Sequence, residues 1–202
     1  MSGWPDALTA AVTDGIEQLG RLDIVCGNAG IGSCGLGWEL TPQAWAEMIS
    51  VNLTGTWNTT RATIPALLAQ GQGGAIILTS SSAAIHSIPY GAHYSAAKRG
   101  VVGLAQELGP HRIRVNTVHP TGVSTPMILN DFTYLHFLPA AASPSSEDIK
   151  PLLAGMNAIP VPWVEPIDVS NAVLFLASDK ARYVTGRQLT VDAGTSIKYA
   201  GT

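Results

Sequence analysis

Four short strand-length segments set the frame of this chain. They fall at 22–26, 75–79, 113–118 and 188–192, and each has the length of a strand rather than a helix. The segments between them carry helical signals. Residues 6–20 place Leu8, Val12, Ile16 and Leu19 at a helical period, and Gly20 is suited to stop that helix. A long helix is predicted over 42–70, with Thr41 as its N-cap and Pro42 at its first position. Its apolar side carries Trp45, Met48, Leu53, Trp57, Ile64 and Leu67, while Pro65 bends or restarts it. A Gly-rich turn at 71–74, a loop over 82–92, a helix around Tyr94 and a helix over 167–178 complete the pattern. Residues 127–160 read as irregular, Pro/Ser-rich and apolar.

The chemistry concentrates between Ser80 and Lys98. Tyr94 and Lys98 are four apart, so on a helix they share one face, one turn apart. A free Tyr titrates near ~10 and is a poor base at neutral pH. A cation beside it is expected to lower that value. A phenol tuned in this way can exchange a proton with an alcohol or ketone oxygen. Ser81 follows the run Ala75-Ile-Ile-Leu78, where a strand-end hydroxyl can hydrogen-bond the same substrate oxygen.

Gly30-Ile-Gly32-Ser-Cys-Gly35 spells G-x-G-x-x-G after a strand. A dinucleotide fingerprint opens directly into a helix, and here the helix begins only at Thr41-Pro42. The glycines therefore read as a loop under a ligand. The five histidines lack metal-ligand spacing and read as bystanders, with His86 and His93 nearest the site in sequence. Asn52 falls inside a predicted helix, where Asn is mildly unfavourable, and either faces solvent or marks a kinked position, the reading favoured by the agreement of the other motifs.

Bulk properties narrow the function classes. Over 202 residues, 46% are hydrophobic and 12% charged, which describes one buried globular domain. The net charge of −3, with no Lys/Arg cluster, gives no electrostatic support for binding nucleic acid or an anionic membrane. No apolar run approaches the ~20 residues of a membrane span, and MSGWPDALTA does not resemble a signal peptide. Cys26 and Cys34 are not spaced as CxxC and are expected to be reduced, buried thiols of a cytoplasmic protein.

Taken in order, Leu22 to Gly30, the Tyr94/Lys98 pair and Ile113 to Pro120 resemble the short-chain dehydrogenase/reductase family. The resemblance covers nearly the whole chain. It puts the family's Asn-Ala-Gly at Asn28, Ala29 and Gly30, its helix Asn at Asn52, and its Ser, Tyr and Lys at Ser81, Tyr94 and Lys98. The Pro-Gly-x-x-x-Thr turn corresponds to Pro120 through Thr125, with Thr121 where Gly is usual. That turn and the tail 159–194 look like the carveol-dehydrogenase-like, mycofactocin-associated branch.

The resemblance implies an α/β fold: a Rossmann-like doubly wound parallel sheet, N-terminally truncated. A single partial domain over 1–202 is expected, with 127–160 as a substrate lid. The implied function is hydride transfer between a nicotinamide cofactor and a secondary alcohol or ketone, small and apolar. Tyr94 would be the acid/base and Ser81 would polarise the substrate oxygen. Lys98 would tune Tyr94 and hold the ribose hydroxyls, and the backbone of Asn52 would hold a water in a proton relay. Asn28, Ala29, Gly30, Tyr94, Lys98, Val123 and Thr125 would grip the nicotinamide half. NAD is implied, with NADP left open. The family's Gly-rich pyrophosphate turn and its NAD-selecting acid are absent from the sequence. A non-catalytic remnant unable to bind dinucleotide is therefore the alternative, followed by a binding module for apolar ligands. Small residues on the Tyr94 helix (Ser95, Ala96, Ala97, Gly100 and Gly103) imply a homo-oligomer. The stretch from Lys98 to Ile113 is about one helical turn shorter than is common in the family, which nearly preserves phase.

Overall fold

The computed structural model describes residues 4–104 and 108–198. In chain order it contains α1 (Trp4–Leu19), β1 (Ile24–Gly27), α2 (Pro42–Ile49), a π-helical turn (Ser50–Thr54), α3 (Gly55–Gln70), β2 (Gly74–Thr79), α4 (Ala92–Val102), β3 (Ile113–Pro120), α5 (Asp131–Phe137), α6 (Ser146–Met156), α7 (Pro166–Ala177) and β4 (Gln188–Val191). The four strands form one parallel sheet in the order β1-β2-β3-β4. Parallel neighbours require crossovers, and helices supply them.

Strand alternation builds two cores from one sheet. Ile76 and Leu78 of β2 join Val25, Val115, Leu67 of α3 and Val101 of α4 on one face. Ala75 and Ile77 point the other way, with Val118 and Leu176 of α7. A strand covered on both faces reads as a continuous apolar run, which is why 75–79 was legible. Small residues of α4 are used within the chain. A Cβ on Gly100 would lie 2.9 Å from the methyls of Leu53, so Gly100 lets the π-helical turn approach α4 closely.

Several expectations need correction. β1 begins at Ile24, not Leu22, because the amide of Gln70 binds both the N–H and the C=O of Leu22 (2.7 Å each). The predicted helix 42–70 is present in span but is interrupted at Ser50–Thr54, and Pro65 lies inside α3 without ending it. The segment 127–160 is not irregular. Asn130 Oδ1 accepts from Thr133 N (2.9 Å) to cap α5, and Ser145 and Asp148 form a capping box on α6. Cys26 is exposed rather than buried, because it points to the face of β1 opposite the buried Val25, and Cys34 is half-buried. The shortened stretch between Lys98 and Ile113 includes 105–107, which lie outside the described residues.

Candidate active site

The carboxyl ends of β1, β2 and β3 lie side by side, with Gly27 opposite Leu78 and Thr79 opposite Val118. In open α/β sheets this edge is where ligands bind. The chain delivers Asn28 after β1, Ser81 after β2 and the 120–125 turn after β3. The hydroxyl of Thr79 donates to Asn28 Oδ1 (2.9 Å), tying the first two ends together.

Ser81 is buried in an extended conformation, and its Oγ accepts from Ala83 N (3.1 Å), capping a short 3-10 turn. Tyr94 and Lys98 sit one turn apart on α4, with the Lys98 Nζ 5.8 Å from the centre of the Tyr94 ring. Burial pushes the Tyr94 phenol above its ordinary pKa, and a side-chain hydrogen bond with Ser81 pulls it back in part. The expectation of a lowered phenol is thus overturned: here desolvation outweighs the stabilising contacts. Lys98 is itself buried, and desolvation pushes its ammonium down to about 8.

The end of β2 grips α4 twice at this point. Lys98 Nζ donates to Thr79 O (2.9 Å), and Ser80 Oγ donates to Lys98 O (2.8 Å). An ammonium has three N–H donors. Among the described residues Thr79 O is its one hydrogen-bond acceptor, so buried donor capacity is left facing the site.

Asn52 is fully buried, not solvent-facing. It lies in the π-helical turn, and such turns often mark functional sites. Its amide clamps the loop after β1: Ile31 N donates to Oδ1 (3.2 Å) and Nδ2 donates to Ile31 O (3.0 Å). Its carbonyl accepts from the Thr56 hydroxyl (2.8 Å). Gly30 passes beneath these groups. A Cβ there would stand 2.6 Å from Asn52 Oδ1 and 3.3 Å from Lys98 Nζ, so only glycine lets this backbone lie so close.

Val123 bridges Val164, and Ser124 N donates to Val164 O (3.1 Å), holding the turn after β3 against the approach to α7. Thr125 N donates to Val123 O (2.7 Å), and both residues are half-buried. Met127 packs over Gly32, where a Cβ would meet its side chain at 3.5 Å. Tyr90, held at φ +60°, meets His136 of α5 edge-on with ring centres 5.2 Å apart. The segment beyond 126 thus folds over the loop 30–37 and the approach to α4.

Sequence reading missed two histidines. His93 is fully buried, with Nε2 2.9 Å from Ser33 Oγ, while its Nδ1 has no partner among the described residues. His119 is fully buried beneath Ser81. A signal existed: Asn116, Thr117 and His119 interrupt a run covered on both faces, and buried polar groups need partners. Among the described residues no group of His, Cys, Asp and Glu could hold a metal ion, and no helix is long and apolar enough to cross a membrane.

Comparison with known proteins extends this picture. Residues 4–196 match the profile of a family described as enoyl-(acyl carrier protein) reductase. A Mycolicibacterium smegmatis protein named as a short-chain type dehydrogenase/reductase is 54% identical over 96% of this chain and 71% of its own. The (−)-trans-carveol dehydrogenase of Rhodococcus erythropolis is 50% identical, over 96% of this chain and 72% of its own. The crystal structure of carveol dehydrogenase from Mycobacterium avium in complex with NAD superposes with a TM-score of 0.94 at 50% identity, covering 96% of this chain and 72% of that one.

Proposed function

We propose, from the premise that this chain belongs to the short-chain dehydrogenase/reductase family, that it oxidises secondary alcohols to ketones, and reduces such ketones, with NAD. One observation carries the reading: Tyr94 and Lys98 share one face of α4, with the Lys98 ammonium 5.8 Å from the ring centre and held there by Thr79 O, and Ser81 is placed to favour the phenolate.

The residues fit a nicotinamide nucleotide at its nicotinamide end. Gly30 leaves room for close approach, and the spare donors of Lys98 suit a pair of ribose hydroxyls. Asn28, Ala29, Gly30, Tyr94, Lys98, Val123 and Thr125 would hold that half. When bound, NAD supplies the hydride acceptor. Tyr94 Oη takes the hydroxyl proton of the alcohol in oxidation and returns it to the ketone oxygen in reduction. The Ser81 hydroxyl binds the same oxygen and opposes charge build-up on it. Lys98 favours the phenolate as the proton leaves, and the Asn52 backbone would hold a water on the route to solvent, as the family resemblance implies.

The chain acts as a single domain with 127–160 as the lid. Met127, Phe132, Leu135 and Phe137 make that lid apolar and suit a small cyclic alcohol such as carveol. A homo-oligomer in the cytoplasm completes the proposal. Tyr94→Phe is the test: turnover of carveol with NAD should fall at least ~10³-fold while the fold persists by circular dichroism, and a near-native rate would remove Tyr94 from its role.

A further inference from the structure

The mechanism above gives His119 no part, yet its surroundings fix it to one purpose. The ring lies on β3, one residue before Pro120, with no exposed surface. A backbone carbonyl can only accept, so the 3.0 Å contact between Nδ1 and Ser81 O puts a proton on Nδ1. In the neutral ring Nε2 is then a bare acceptor, and Thr117 Oγ1 stands 2.7 Å away to donate to it. The other acceptor open to that hydroxyl, Arg187 O, is farther off at 3.4 Å. Both ring nitrogens are therefore satisfied in a single tautomer. Burial disfavours the imidazolium, with the charge of Lys98 acting in the same direction and Asp192 against it.

Ser81 gains a second anchor from this ring. Its carbonyl also accepts from Ala84 N (2.9 Å) within the 3-10 turn, and the nearest other tie to β3 is one residue upstream, where Ser80 N donates to Val118 O (2.9 Å). The His119 bond joins that carbonyl to the neighbouring strand. We propose that His119 is a positioning residue that holds the Ser81 backbone, and through it the Ser81 hydroxyl, against the reacting oxygen of the substrate. The inference rests on the role given to Ser81 above.

A double-mutant cycle on the full chain, with carveol and NAD, tests it. Ser81→Ala should lower kcat by about 10²-fold, and His119→Gln, which keeps a polar group near Nε2 but loses the Nδ1 donor, by about tenfold. In the Ser81→Ala background His119→Gln should have no further effect, because its action runs through Ser81. His119→Asn, whose amide N–H falls where Nδ1 stood, should stay within about threefold of the unmutated rate. Nitrogen NMR of the unmutated chain should find the Nδ1-protonated neutral ring. Full additivity of the two losses, His119→Asn as slow as His119→Gln, or a ring protonated on Nε2 alone would each overturn the proposal. A Ser81→Ala chain with unchanged turnover, or an unmutated chain without turnover, would overturn the parent reading and this role with it. A loss on Ser81→Ala with an additive His119 effect overturns this role only.

Discussion

Lys98 carries its charge at a cost. Burial lowers its pKa from 10.5 to about 8, a change worth roughly 3 kcal/mol against the charged form at neutral pH. Losing its bond to Thr79 O on substitution would cost about 1–2 kcal/mol. Lys98→Met is therefore expected to raise stability at pH 7 by about 1–2 kcal/mol while turnover falls, a separation that urea unfolding and a rate assay together would measure. The sign with pH follows from linkage. Between about 8 and 10.5 the unfolded chain still holds the Lys98 proton and the folded chain has released it, so this group makes stability rise with pH in that window. Unfolding at pH 7 and at pH 9.5 should show that gain in the native chain and lose it in Lys98→Met. At this scale the sequence was informative where spacing alone speaks: Tyr94 and Lys98 share a helix face whatever the rest of the fold does. It could not give the direction of the Tyr94 shift, because desolvation depends on the elements packed around the ring. His119 was hidden for the same reason, since its partner Ser81 is 38 residues away.

Among the elements, the π-helical turn shows how an unfavourable residue is put to use. The extra residue in the turn is marked by the bond from Gly55 N to Ser50 O, and Asn52 within it is aimed at the loop after β1. Asn52→Leu should leave the Ile31 amide and carbonyl unpaired and cost about 2–4 kcal/mol, read as a fall in the urea midpoint. Gly30→Ala acts on the loop itself. The new methyl meets Asn52 Oδ1 and Lys98 Nζ, so calorimetric titration of NAD should show at least a tenfold weaker site, with stability lowered by about 1–3 kcal/mol. Unchanged NAD affinity would show that this backbone is not close to the cofactor. Caps at Thr41 and Pro42 were readable, whereas the capping box from Ser145 to Asp148 was passed over because the Pro/Ser-rich stretch around it read as irregular. A π turn leaves no comparable mark, because it differs from an α-helix by one hydrogen-bond step rather than by residue type.

On the scale of the molecule, the sheet presents β1 as an open edge, with Ile24 and Cys26 exposed. Open apolar edges invite pairing. Ile24→Lys is expected to reduce concentration-dependent association in sedimentation velocity without lowering the unfolding midpoint, whereas unchanged association would place the contact elsewhere. Family resemblance followed from three motifs in order, and the fold class from that resemblance. What joins them was not legible, above all the double tie between Thr79-Ser80 and Lys98. That tie has a thermal consequence. Ser81 and Tyr94 sit on either side of a joint that holds together only while β2 and α4 stay packed, and β2 is an inner strand of the sheet with Ala75, Ile76, Ile77 and Leu78 all buried. On gradual heating, the capacity to turn over substrate should therefore disappear in the same step as the fold, with no earlier interval in which a well-folded chain has already gone silent.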